Sequence, residues 1–186
     1  MHIKKIDTFY FTNNYEKKHI KKINKNTSII FRNYRDKLDL NKLKELKKFC
    51  KSTGRKLFLA NDLKLALSLR LNGVYIPSFN KQINLLCYQN RKDFLILGSA
   101  HNIKEIKQKE RQGVDIIFLS PIFSVLKSKN YLGVIKFNLL SQITNKKIIA
   151  LGGFNTFNLI KFRMLKANGF AGISYFQKKR PHKGAA

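Results

Sequence analysis

A closed parallel (β/α)8 barrel, the TIM-barrel class, is the fold that this sequence predicts, and three observations lead to it. Short apolar runs rich in Ile, Val and Phe alternate with lysine-bearing amphipathic stretches along the 186 residues. Eight such runs occur, mostly about 20 to 30 residues apart, with seven amphipathic pieces between them. Runs such as "DIIFL" and "KIIAL" are apolar throughout, as strands covered on both faces must be, and that implies parallel pairing. The chain is shorter than the roughly 250 residues usual for the class. An open doubly wound sheet is the alternative. It usually has fewer strands and a glycine-rich turn after the first, and "FYFTNN" has no glycine.

The elements follow in order. "KIDTFYF" is the first strand and "EKKHIKKIN" the first amphipathic piece; "TSIIFRNY" is the second strand. In "DLNKLKELKKFCKSTG", Leu40, Leu43, Leu46, Phe49 and Cys50 recur at three- and four-residue steps, so they share one helical face, and Gly54 lies where that helix ends. "KLFLAND", the helix "LKLALSLRLN" and the strand "GVYIPS" come next. "KQINLLCYQNRKD" precedes the strand "FLILGSAH", and "IKEIKQKERQG" precedes "DIIFLSPI". "FNLLSQITN", "KKIIALGGF", "TFNLIKFRMLKANG" and "FAGISYF" close the barrel. The expected organisation is one domain over residues 1–176. A basic tail over 177–186, "QKKRPHKGAA", has no apolar periodicity and stands where a barrel would carry its final helix.

Composition narrows the function. With 44% hydrophobic and 12% aromatic residues the chain has material for a core. The net charge of +28 invites a nucleic-acid reading, but the cations are spread from Lys4 to Lys183 and no nucleic-acid motif accompanies them. The bias toward Lys, Asn, Ile and Phe also arises from AT-rich coding with no partner involved. The charge favours anionic small ligands instead. Cys50 and Cys87 lack CxxC or Cys/His spacing, so neither a disulfide framework nor a zinc site is expected. No stretch approaches about 20 apolar residues, so no membrane partner is expected and the cytoplasm is the natural compartment.

In parallel barrels the active site collects at the C-terminal ends of the strands. The residues just past each apolar run are Arg32 after strand 2, Asn61 and Asp62 after strand 3, and Ser99 and His101 after strand 5. Ser120-Pro121 follows strand 6, leading into a loop with Lys127, Ser128 and Lys129, and Gly152-Gly153 follows strand 7. An arginine, a carboxylate, hydroxyls, lysines and paired glycines suit a phosphorylated ligand held with a divalent cation. Each has a structural alternative. Asp62 is well placed as a helix N-cap, Arg32 as a surface partner of Asp36 or Asp39, Gly152-Gly153 as a plain turn, and His101 as a capping or packing residue.

These residues, in this order and on these elements, resemble the thiamine-phosphate synthase superfamily, which includes a thiazole tautomerase branch. The similarity runs from about Asp7 to Phe176, most clearly in "LFLANDLKLALSLRLNGVYIP", "ILGSAHNIKEI", "GVDIIFLSPIF" and "IIALGGFNTFNLIKFRMLKANGFAGIS". It implies a transferase that joins hydroxymethylpyrimidine pyrophosphate to thiazole phosphate and releases pyrophosphate, with Mg²⁺ as cofactor. Arg32, Asn61, Ser99 and Lys127 or Lys129 would then serve the pyrophosphate and the catalytic step. Asp62 and Asn80 would stand at the metal positions, and Gly152, Gly153 and the backbone at Ser174 would cradle the thiazole phosphate. The departures are specific. A family lysine is Tyr34 here, the second metal-binding aspartate is Asn80, the first threonine of the strand-6 loop is Val125, and Pro121 stands where the tautomerase branch has its histidine. A non-catalytic barrel that binds thiazole phosphate or thiamine phosphate is the alternative function, and a basic nucleic-acid-binding protein a third. The sequence leaves the oligomeric state open.

Overall fold

The computed structural model describes residues 6–33, 38–83, 93–125 and 130–177. Eight strands close into one parallel barrel in sequence order. They are β1 (Asp7–Thr12), β2 (Thr27–Phe31), β3 (Leu57–Ala60), β4 (Gly73–Ile76), β5 (Leu95–Ala100), β6 (Ile116–Leu119), β7 (Lys147–Leu151) and β8 (Gly169–Gly172). β1 pairs with β8, from Asp7 opposite Gly169 to Tyr10 opposite Gly172, so no sheet edge remains. The helices among the described residues are α1 (Lys17–Lys22), α2 (Leu40–Ser52), α3 (Leu63–Ser68), α4 (Ile103–Arg111), α5 (Gly133–Ser141) and α6 (Ser174–Gln177). Cys87 and most of the stretch expected to form the fourth helix lie outside the described residues.

Two layers of apolar packing follow from strand alternation. Phe9, Phe11, Ile30, Phe58, Tyr75, Leu97, Phe118 and Ile149 point inward and fill the barrel. The alternate residues, among them Tyr10, Ile29, Val74, Ile96 and Ile117, pack outward against the helices. Phe11, Tyr75 and Phe118 meet edge to face at 5.0 to 6.0 Å, closing the interior with aromatic rings. That aromatic plug is the floor of the barrel mouth.

The opposite end is tied by a repeated device. The side chains of Asn72, Asp115 and Asn168, each just before an even-numbered strand, accept from the backbone N–H of Leu57, Ile96 and Ile148, at 2.9, 2.8 and 2.9 Å. Each of these donors is the first or second residue of the preceding odd-numbered strand, so every such bond ties one strand pair in register. The mouth therefore sits on a rigid staircase.

Two elements differ from the sequence expectation. The stretch from Leu159 to Met164 is a 3-10 helix, not an α-helix; its sequence "LIKFRM" has only six residues between the Asn155–Asn158 turn and Leu165. Leu40 is 46% exposed, because it opens the first turn of α2 and faces away from the strip of Leu43, Leu46, Phe49 and Cys50 that packs on the barrel. Gly54 ends that helix at φ +67°, as its position suggested. One turn of helix, α6, follows β8, and the residues beyond Gln177 lie outside the described part, so the expected boundary of the basic tail falls at its edge.

Candidate active site

The C-terminal ends of β2, β3, β4 and β5 bring four of the sequence-selected residues around the aromatic floor. Arg32 extends β2 by donating its backbone N–H to Thr12 O at 2.8 Å. Its guanidinium carbon lies 5.3 Å from the centre of the Phe11 ring, a cation–π contact that aims the cation across the mouth. Of the two surface partners named as alternatives for Arg32, Asp36 lies outside the described residues. Asp39 instead caps α2 through Asn41 N and Lys42 N. Tyr75, buried beneath, hydrogen-bonds Ser99. Burial pushes its hydroxyl's pKa up, while the Ser99 bond and the charge of Arg32 push it down. One aromatic ring thus links the arginine and the serine.

Asn61 has φ +61°, the left-handed region that Asn tolerates better than most residues. Its backbone N–H bonds Tyr75 O at 2.8 Å, and its side-chain Oδ1 accepts from Asn80 Nδ2 at 2.8 Å. Residues 19 positions apart in sequence therefore meet where the sequence placed the phosphate and metal functions. Asn80 Oδ1 also accepts from Gln82 N at 2.9 Å, so both ends of this amide are engaged. Asp62 takes the structural role foreseen for it: Oδ1 accepts from Leu65 N at 2.9 Å and caps α3. One oxygen of that exposed carboxylate remains for a cation. No three His, Cys, Asp or Glu side chains are grouped to hold a metal among the described residues.

His101 joins two rim loops. Its Nδ1 lies 2.6 Å from Ser120 O, a pure acceptor, so Nδ1 carries a hydrogen and donates. In the neutral ring Nε2 is then the acceptor, and Ser78 Oγ, 3.2 Å away, donates to it. The imidazole is a brace between the ends of β4 and β6, in keeping with the packing alternative.

The loops after β6 and β7 form one unit. Ile122 N bonds Leu151 O at 3.0 Å and Phe123 N bonds Gly152 O at 3.3 Å. Leu132 N and Gly133 N return to Pro121 O and Ile122 O at 2.9 and 3.1 Å, closing the base of the cationic loop. Lys127 and Lys129 lie outside the described residues, between these two anchors. Gly152 and Gly153 have φ +95° and +75°. A Cβ on Gly153 would stand 2.6 Å from Phe123 O, so the turn needs glycine for space as well as for φ. Asn158 fixes it from the other side, donating to Gly153 O at 2.7 Å and accepting from Asn155 N at 2.8 Å. Ser174 opens α6 at the end of β8, exposed on the same rim.

Sequence reasoning passed over Phe11 and Tyr75, which read as ordinary core, and over Ser78, Lys109 and Gln112. For the last two a signal existed: in α4, Ile103, Ile106 and Lys109 follow at three-residue steps, which puts a lysine on the apolar face.

Comparison with known proteins fits this geometry. The family described as thiamine monophosphate synthase matches residues 16–176. The thiamine-phosphate synthase of Clostridium perfringens is 31% identical over 135 residues, covering 70% of this chain and 64% of that protein. That of Actinobacillus succinogenes is 27% identical, with 61% of its length covered, so the chain spans about three fifths of these curated relatives. A putative thiamine-phosphate synthase 2 of Aquifex aeolicus is 30% identical over 136 residues, covering 72% of each chain. The solved thiamine phosphate pyrophosphorylase of Pyrococcus furiosus superposes with a TM-score of 0.73 over 92% of this chain and 87% of that one, at 16% identity, which is a likeness of fold. With its family's signature matched across most of its length and its barrel closed in the same way, the chain belongs to the thiamine monophosphate synthase family.

Proposed function

We propose that the barrel mouth joins hydroxymethylpyrimidine pyrophosphate to thiazole phosphate, giving thiamine phosphate and pyrophosphate. The observation that supports this most is the meeting of Asn61 and Asn80 at 2.8 Å, at strand ends of the same barrel mouth where Arg32 lies over the Phe11 ring. In this reading the C–O bond between the pyrimidine methylene and pyrophosphate breaks, and pyrophosphate leaves with the electron pair. The thiazole nitrogen lone pair then forms the new C–N bond. The step demands neutralisation of charge on the leaving group more than proton transfer. Arg32 supplies a guanidinium fork to the pyrophosphate, Asn61 and Ser99 supply neutral polar contacts, and Lys127 or Lys129 supplies a further cation from the loop between Phe123 and Leu132. The Phe11, Tyr75 and Phe118 rings give the pyrimidine a dry floor. The Gly152-Gly153 turn with the Ser174 backbone holds the thiazole phosphate across the mouth.

Mg²⁺ suits this donor set only in a reduced form. Such an ion is commonly held by one or two carboxylates plus phosphate oxygens and water, and the free oxygen of Asp62 meets that minimum. Asn80 adds no charge. When bound, Mg²⁺ would neutralise the departing pyrophosphate.

The engaged amide of Asn80 favours one second reading, a barrel that binds the phosphorylated thiazole without turnover. Incubation of purified protein with both substrates and Mg²⁺, with thiamine phosphate and pyrophosphate read together, decides between them. Product formation that Arg32→Ala lowers roughly ten- to hundredfold, the worth of one charge-assisted bond pair, sustains the synthase. Binding of thiazole phosphate without product sustains the second reading. Full activity in Arg32→Ala would remove the arginine from the site.

A further inference from the structure

The lysine on the apolar face of α4 has no place in the chemistry above. Lys109 is fully buried, 0% exposed, three residues after Ile106, which is buried in the same way. Its stem crosses β5 at Gly98, where a Cβ would come within 2.9 Å of Lys109 Cδ; glycine there makes room for it. The ammonium meets three acceptors: Pro77 O at 2.8 Å, Asn80 O at 2.9 Å and Gln112 Oε1 at 2.7 Å. An ammonium has three N–H groups, so every one is used. Gln112, also 0% exposed, donates its Nε2 to Asn80 O at 3.0 Å and to Gln82 O at 2.8 Å.

Four of these five bonds turn three carbonyls of the 77–82 loop inward onto α4 and the residue that ends it, and the fifth joins Lys109 to Gln112. The same loop sends Ser78 to His101 and the Asn80 side chain to Asn61. Burial pushes the Lys109 amine down to about 8 while Glu105 on the same helix pushes it up, so the ammonium is the main form at neutral pH. A leucine at this position would fill the space with no charge to desolvate. What it could not do is hold three specific carbonyls.

We propose that Lys109 and Gln112 are positioning residues: a buried clamp that sets the 77–82 loop and through it the approach of Asn80 to Asn61 at the anion site. The purpose of the clamp rests on the reading of the mouth as a pyrophosphate site, whereas its existence does not. Lys109→Met keeps the stem volume and removes all three donors. Gln112→Ala removes the two bonds its amide donates and the one it accepts from Lys109 while keeping the ammonium's two bonds to the loop, which serves if the first variant fails to fold.

Hydrogen exchange of the unliganded protein should rise about tenfold or more at the Asn80 and Gln82 amides in either variant, with β5 amides unchanged. Calorimetric titration with inorganic pyrophosphate and Mg²⁺ should show about tenfold weaker binding in Lys109→Met. In an Asn80→Ala background that loss should shrink to within about twofold, because the clamp acts through Asn80. Unchanged exchange in the loop overturns the clamp. A penalty undiminished by Asn80→Ala overturns its action through that residue and leaves only general stability. Wild-type protein that binds no pyrophosphate overturns the site reading and the purpose given to the clamp, and the exchange data distinguish that failure from failure of the clamp itself.

Discussion

Replacing Gly153 by alanine tests whether the turn after β7 and the loop after β6 are locked together. Two costs add. At φ +75° any L side chain is strained by about 1–2 kcal/mol. The new Cβ would also lie 2.6 Å from Phe123 O and 2.7 Å from its carbonyl carbon, so the two loops must part by about 0.8 Å to reach the 3.4 Å of an ordinary contact. That parting breaks the Phe123 N–Gly152 O bond, already long at 3.3 Å, for a further ~1 kcal/mol. The sum is about 2–3 kcal/mol, which for a domain of this size lowers Tm by roughly 4–12 °C. Gly54→Ala is the internal control. Its φ is +67°, nearly the same, yet nothing lies within 4 Å of its Cβ position, so only the backbone cost of about 1–2 kcal/mol applies and Tm should fall less, by roughly 2–8 °C. Scanning calorimetry on the two variants measures the difference directly. Equal losses would refute the reasoning, because they would mean the turn bears no contact from Phe123. On the proposed function, the same displacement should raise KM for thiazole phosphate in Gly153→Ala and leave it unchanged in Gly54→Ala.

Three further outcomes are expected. Asn80→Asp should lower the Mg²⁺ concentration for half-maximal activity by roughly an order of magnitude, since one carboxylate is added to one; metal titration of initial rates reads it, and an indifferent response would separate position 80 from the metal. Asn158→Ala removes the two bonds that hold Gly153 and Asn155, and a urea titration should show a loss of about 1–3 kcal/mol. Burial pushes the Cys50 thiol up to about 12, so it should resist alkylation at neutral pH. A raised folded-state value means that its contribution is complete below the unfolded pKa, near 8.5, and is lost as pH climbs toward 12. The urea midpoint of the wild type should therefore fall between pH 8 and pH 10 by more than that of Cys50→Ala.

The barrel was legible because each strand is covered on both faces and so has to be apolar along its whole length; "DIIFL" admits few other readings. The rim was legible for a related reason. A polar residue that ends such a run has left the core by then, and in a parallel barrel all such residues leave at the same end. This is why Arg32, Asn61 and Ser99 could be picked out one by one and still be found around one aromatic floor. The 3-10 segment was not legible, since Leu159 to Met164 has the apolar spacing of an α-helix and its shortness is imposed by the Asn155–Asn158 turn. Nor was the role of Phe11 and Tyr75, because a ring that forms the floor of a site and a ring that fills a core have the same sequence signature.

Lys109 shows where the limit lies in physical terms. In sequence, a lysine among lysines carries little information, since the chain has 38 Lys and Arg residues. Among the described lysines it is the one that is buried, and two of the three partners that make its burial tolerable are backbone carbonyls, which every residue has and no sequence pattern marks. The inferred loop geometry follows from this. The ammonium holds the backbone oxygen of Asn80, which leaves the side-chain amide of that residue to bond Asn61. Asn80 and Lys109 thus form one local arrangement, in which a fixed internal cation stands under the loop that carries residue 80. Lys109→Met and Asn80→Asp should therefore not be independent: without the clamp residue 80 loses its place, so the gain in Mg²⁺ affinity from Asn80→Asp should be smaller in the Lys109→Met background. An equal gain in both backgrounds would refute the coupling.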